Sequence, residues 1–265
     1  MSSGATARAL RLGLVSGWDD ERLGAPDPKE FAYLLHERAL TLADDVYDPA
    51  AYELVELEPQ DYAGRLAFYL RRRSWAEWFF GTVTPARQIT LLPEQDVAMR
   101  LRLARQISDE VRHHDVFARE VKRLGGEWRI TTFPAPAGLM RMHHAQLGKQ
   151  SVGELAAANQ YSGEVVLSVQ DRVDGNILRL LLDEQAMAAI EDIESDEPAH
   201  IAIGRDLVRA HAVSLAERRR MAAAQEVFLT ALIVQHVTEI ESLGAHRIRP
   251  VPSFEPASGT ADAGG

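Results

Sequence analysis

SDEVRH occupies residues 108–113 and SDEPAH residues 195–200, so the chain writes Ser-Asp-Glu-x-x-His twice at an offset of 87 residues. On a helix, positions i and i+3 share a face about one turn apart. Glu110 with His113, and Glu197 with His200, therefore each present a carboxylate and an imidazole to one point. No other Glu-x-x-His occurs in the sequence. Counting back 33 residues from Glu110 and from Glu197 reaches a glutamate both times, Glu77 and Glu164. The repeat is thus Glu followed by Glu-x-x-His. A single Glu-x-x-His is a weak signal, but a matched pair with matched upstream carboxylates is a strong one.

The surrounding sequence is built to hold such a pattern on helices. With 265 residues, 46% of them hydrophobic, the chain can bury a full core. Asp27 and Pro28 signal the start of a helix reaching about residue 45. A second helix is expected over about 60–81, stopping near Gly81 and Pro85. Pro93 is expected to open a long helix that ends at Gly125-Gly126. Residues 131–150 read as a Pro/Gly-interrupted connection. Helical periodicity resumes at 151–173, breaks at Asp174-Gly175-Asn176, and continues through 177–213 and 215–243. The expectation is an all-α bundle of about six helices, four of them long. Residues 1–26 read as a flexible arm, 27–248 as the helical domain, and 249–265 as a disordered tail by composition.

Composition removes several function classes. A net charge of -10 argues against binding a nucleic-acid backbone. The clusters Arg71–Arg73 and Arg218–Arg220 read as solvated helix faces. No apolar run approaches the ~20 residues of a membrane helix, and the N-terminus lacks a convincing signal peptide, so a cytoplasmic protein is expected. The absence of cysteine excludes a thiol nucleophile and a cysteine-ligated iron–sulfur cluster, so electrons for any redox reaction come from a partner.

A bundle in which two helices carry Glu-x-x-His and two others carry one inward Glu each holds a pair of metal ions. SDEVRHHDVF and SDEPAHIAIG resemble the Asp-Glu-x-x-His motifs of the ferritin-like di-iron carboxylate oxygenases. The layout of EWFFGTVTPARQITLLPEQDVAMRLRLARQISDEVRH is similar to that of the phenylacetyl-CoA epoxidase catalytic subunit family, and ESLGAHRIRPVPSF resembles its tail more faintly. The resemblance covers roughly residues 60–250. It implies a ferritin-like four-helix bundle with additional N- and C-terminal helices, and two iron ions held by Glu77, Glu110, His113, Glu164, Glu197 and His200. Mixed manganese–iron is left open as an alternative metal pair. It also implies dioxygen as co-substrate, a small organic substrate (a thioester in the nearest family), an external reductase or ferredoxin, and a homodimer. Asp109 and Asp196, each preceding a ligating Glu, occupy the place where that family hydrogen-bonds its ligand histidines. Ser168 and Tyr161, each one turn from Glu164, are the candidate catalytic side chains, with Gln160 beside them.

Duller roles compete with each assignment. Glu110 and His113 lie on a mostly apolar face with Met99, Leu103, Gln106 and Phe117, which favours burial over a solvent-facing pair. Glu77 stands among Trp75, Trp78, Phe79 and Phe80, with an alternative ion pair to Arg73 four residues earlier. Pro198 would cost about 3 kcal/mol inside a helix, so Ser195 is a candidate cap of a new helix in which Asp196 and Glu197 complement the dipole. Ser168 is equally readable as a packing serine. His143, His144, His211 and His236 lack a partner pattern and read as structural or surface residues. An iron-oxidising storage protein and a non-catalytic subunit of an oxygenase complex remain alternatives. A radical-generating ribonucleotide reductase subunit is disfavoured, because Phe117 stands where that family has its tyrosine.

Overall fold

The computed structural model describes residues 23–24, 27–54, 59–180, 183–242 and 244–248. The expected arm over 1–26, Leu23 and Gly24 aside, and the expected tail over 249–265 lie outside them. The fold is all-α: α1 (Pro28–Val46), α2 (Pro59–Ala76), α3 (Val83–Leu91), α4 (Val97–Arg123), α5 (Ala137–Leu147), α6 (Val152–Ala158), α7 (Glu164–Leu180), α8 (Glu184–Glu194), α9 (Glu197–His211) and α10 (Leu215–Ser242). The strands β1 (Tyr52–Leu54) and β2 (Ala245–Arg247) form an antiparallel ribbon with Glu53 opposite His246. No helix among the described residues is long and apolar enough to cross a membrane.

Local chemistry sets the helix ends. The Asp27 carboxylate accepts from Glu30 N at 2.7 Å with Pro28 in the first turn, as expected. At the start of α6, Ser151 Oγ accepts from Glu154 N and donates to the Glu154 carboxylate. At the end of α4, Gly125 takes φ 78°, which a side chain disfavours, and Gly126 N returns to Val121 O.

Several expected boundaries are wrong. The second helix does not stop at Gly81: a π-helical stretch, Glu77–Thr82, joins α2 to α3 without a break. Pro85 falls in the first turn after that stretch, where its missing N–H is tolerated. The long helix opens at Val97 rather than Pro93, because Asp96 caps it while Pro93 sits in the turn before it. The interval 131–150 contains α5, whose ends are Pro136 and Gly148, so the punctuation there brackets a helix. α7 runs through Asp174-Gly175-Asn176 to Leu180; an isolated glycine costs about 1 kcal/mol, which packing against α1 and α8 offsets. The span 177–213 is instead divided, with a turn at Ser195-Asp196 separating α8 from α9.

These corrections explain how the motifs meet. From Glu77 to Leu91 the chain climbs about 21 Å, and from Val97 back to Glu110 it descends about 20 Å, at 1.5 Å per residue. The two legs match in length, so Glu77 and Glu110 arrive at one level.

Two apolar cores flank that level. One contains Trp75, Phe80, Phe117, Val165, Val166 and Phe228; the other contains Leu35, Leu103, Ala156, Tyr161, Ile203 and Leu207. Along α4, Leu103 belongs to the second and Phe117 to the first, with Gln106, Glu110 and His113 buried between them. The arginine clusters are solvated faces only in part: Arg72, Arg73 and Arg218 are buried, while Arg71 is half-buried and Arg219 and Arg220 are exposed. Arg218 satisfies the carbonyls of Ala212 and Leu23, and Arg72 and Arg73 enter the ion pairs described below.

Candidate metal centre

The structure brings all six predicted side chains together, each at least nine-tenths buried. Glu77 opens the π stretch after α2, and Glu110 and His113 lie mid-α4. Glu164 opens α7 directly after a second π stretch, Asn159–Gly163, and Glu197 and His200 occupy the first turn of α9. A π turn rotates the following residues relative to an α-helix, and here one adjoins each upstream glutamate. Glu110 is central: its two carboxylate oxygens lie 3.4 Å from His113 Nδ1 and 3.2 Å from His200 Nδ1. His113 Nδ1 is 4.0 Å from Glu77 Oε2, and His200 Nδ1 is 3.7 Å from Glu197 Oε2. Two overlapping triads, Glu77–Glu110–His113 and Glu110–Glu164–His200, each place one ligand atom per residue within 4.8 Å of the others.

The aspartates cross between the repeats. His113 Nε2 is hydrogen-bonded to Asp196 at 3.2 Å, and His200 Nε2 lies 3.5 Å from Asp109. Each motif's aspartate thus steers the other motif's histidine and leaves Nδ1 facing the carboxylates. Arg112 holds Asp196 and Asp192 together. That is why Asp196, the residue before α9, makes no capping bond to its own helix. Pro198 is tolerated for the reason anticipated, since α9 begins anew there. The break and the convergence of Glu197 and His200 coexist.

Electrostatics mark the cluster as short of cation. Burial, reinforced by Glu110, holds the Glu77 carboxyl well above the usual range; burial reinforced by Glu197 and Glu110 does the same to Glu164. Burial also works against charge on Glu110, yet His113 and His200 outweigh it and hold that group low. Desolvation opposes the imidazolium forms too, but the surrounding carboxylates raise His113 to about 10 and His200 to about 9. Protons therefore occupy the places of cations. His113 Nδ1, His200 Nδ1 and Glu197 Oε2 are buried without a hydrogen-bond partner among the described residues, and a divalent ion bound there would supply what each lacks. Four carboxylates match two divalent ions in charge, and the oxygen-rich set with imidazole fits iron or manganese.

Three features escaped the sequence reading. Gln106, placed on the right face but given no role, donates to Glu110 at 3.3 Å and to Glu164 at 3.4 Å. Gly81 is demanded by Glu110, since a Cβ there would stand 2.4 Å from Oε2. A buried ionic layer adjoins Glu77: Arg73 lies 3.6 Å from it and binds Asp171 at 2.6 Å, while Arg72 pairs with Glu239 at 3.0 Å. Only the Arg73–Glu77 contact has the i, i+4 spacing that sequence can reveal.

A cavity of about 30 Å³ touches Glu77, Glu110 and Glu164, with Phe80, Leu139 and Phe228 among its apolar walls. That is a fraction of the roughly 150 Å³ that holds benzene, so it admits water or dioxygen. His236, read as a structural or surface residue, lines it together with Glu239. Ser168 and Tyr161 do not line it. Ser168 turns its hydroxyl to Val165 O at 2.9 Å, one turn back on its own helix. Tyr161 stacks on His36 in the second core, with ring centroids 5.7 Å apart. Gln160 is spent in an amide pair with Gln88. None of the three side chains reaches this cavity: Tyr161 and Gln160 lie within the π stretch, and Ser168 lies off the face shared by Glu164, Leu167 and Asp171. No protein-family model matches the chain, and no curated protein matches it.

Proposed function

We propose that the chain is a non-haem di-iron oxygenase of ferritin-like four-helix design, acting on a small organic substrate with dioxygen as co-substrate and an external reductase or ferredoxin as electron donor. The observation that carries this reading is the convergence of four carboxylates and two imidazoles in a buried layer, with Glu110 between both histidines. Glu77, Glu110 and His113 would hold one ion and Glu164, Glu197 and His200 the other, with Glu110 in reach of both. Ferrous ions bound there would supply the reducing equivalents for activating dioxygen, which the external donor would replace. The protein's part is to orient and to exclude water. Asp196 and Asp109 fix the imidazole rings, Gln106 steadies Glu110 and Glu164, and the walls of the adjoining cavity restrict the reacting volume to the smallest molecules. Arg73 places a cation against Glu77.

Anaerobic titration with ferrous iron tests the reading. The expected result is saturation at about two ions per chain. Admission of dioxygen should then give limited uptake that continues only when an electron donor is supplied. Excess ferrous iron retained as ferric mineral would replace this reading with iron storage. Failure to bind iron would leave a non-catalytic subunit of an oxygenase complex.

A further inference from the structure

A second cavity, of about 410 Å³, lies between α5 and α10. It has the size of a small-molecule site, which the 30 Å³ space at the metal centre does not. Positions 141–142, 145–146 and 149 recur at four-residue intervals, so one face of α5 and its C-terminal extension forms one wall; Ala224, Val227, Phe228 and Ala231 form the other. Met142, Ala224 and Phe228 are buried and make an apolar floor.

The polar groups are all on the α5 side. Arg141 and Lys149 line the cavity, which no carboxylate among the described residues does. Gln146 lies between them at 3% exposure, and neither its side-chain nitrogen nor its oxygen has a hydrogen-bond partner among the described residues. An amide buried in that way is a site awaiting a polar group. Phe228 lines this cavity and the one at the metal centre, and so forms the partition between them. Its ring stands edge-on to Phe80 at 6.1 Å and against Gly163, where a Cβ would approach to 2.9 Å.

We propose that the groove between α5 and α10 binds an amphipathic anion, an apolar chain bearing a carboxylate or a phosphate, with its head on Arg141, Lys149 and Gln146 and its tail against Phe228. Two cations and an unsatisfied amide donor select the head, and the apolar floor accepts the tail. The tail's approach to the metal centre rests on the oxygenase reading; binding in the groove does not.

Calorimetric titration of the metal-free full chain with decanoate, decyl phosphate and neutral decanamide is the first test. At least one anion should bind about tenfold more tightly than decanamide. The double variant Arg141→Gln, Lys149→Gln should abolish that preference and leave decanamide binding in place. Equal binding of anions and amide, or a preference that survives the double variant, overturns the head-group site. In the second test Mn²⁺ is added, and the NMR lines of the tighter anion are followed. The terminal methyl should broaden more than the methylene beside the head, and the reverse gradient overturns the orientation. A chain that takes up no Mn²⁺ counts against the metal-centre reading and this orientation together, while the calorimetry still decides the groove.

Discussion

Replacing Gly81 by alanine probes the central position of Glu110 most directly. The new Cβ would sit 2.4 Å from Oε2 and 2.5 Å from Cδ of Glu110. Ordinary contact begins near 3.4 Å, so the carboxylate must retreat by about 1 Å. Metal–ligand distances tolerate roughly 0.2 Å, so a displacement about five times larger removes Glu110 from at least one ion. Substitutions that only disturb a ligand's hydrogen-bond partner cost about 10–100-fold in affinity, which makes ~100-fold a lower bound here. The fold should suffer less. Overpacking costs about 1–3 kcal/mol, and alanine returns up to ~1 kcal/mol of helix propensity, for a net loss of about 3 kcal/mol at most. Anaerobic titration with Fe²⁺, run beside thermal melts of the metal-free protein, separates the two effects. Gly204→Ala is the comparison: its Cβ would meet the backbone of Gln160 and Tyr161 at 2.6–2.7 Å, which cannot swing aside, so stability should fall more than with Gly81→Ala. If Gly81→Ala binds two ions at wild-type affinity, Glu110 is not held between them and the site has been misread.

Metal should raise the melting temperature, and by more at about pH 8.5 than at about pH 6. His113 and His200 titrate at about 10 and about 9 in the metal-free fold, above their ordinary range. Their contribution is therefore complete below about pH 6.5 and is lost as pH rises through those values. Glu77 and Glu164, also raised, oppose folding once they must ionise, so both effects weaken the metal-free form as pH rises. A metal-induced shift that is constant or shrinks across this range contradicts the assignment. Asp196→Asn should lower metal affinity about 10–100-fold through His113, measured by the same titration; an unchanged constant removes Asp196 from its role. Arg73→Met leaves Asp171 buried beside a lost partner and should cost about 3–5 kcal/mol in denaturant unfolding, whereas Arg73→Met with Asp171→Leu should recover most of it. Equal losses in the single and double variants would refute that account.

The six candidate ligands were legible because a helix turns i and i+3 toward one point and the 33-residue spacing repeats. Caps were legible where one side chain decides them, as at Asp27, or one φ, as at Gly125. The π stretches were not, since nothing in EWFFGT or NQYSG distinguishes i+5 bonding from i+4; the error then passed to Tyr161 and Gln160, whose faces depend on it. Arg72 and Arg73 were misread because their partners Glu239 and Asp171 are remote in sequence. Proline and glycine misled wherever packing overrides propensity, as at Pro85 and Gly175.

The crossing of the aspartates has a consequence for how this chain can be divided. Asp109 attends the histidine of the second repeat and Asp196 that of the first, while Glu110 reaches both imidazoles. Neither repeat carries a self-sufficient half of the centre. A fragment ending before residue 150 would keep Glu77, Glu110 and His113 but lose the brace on His113, and the complementary fragment would lose the carboxylate that lies between the two imidazoles. The two copies form an interlock, and a change written into one is registered at the histidine belonging to the other.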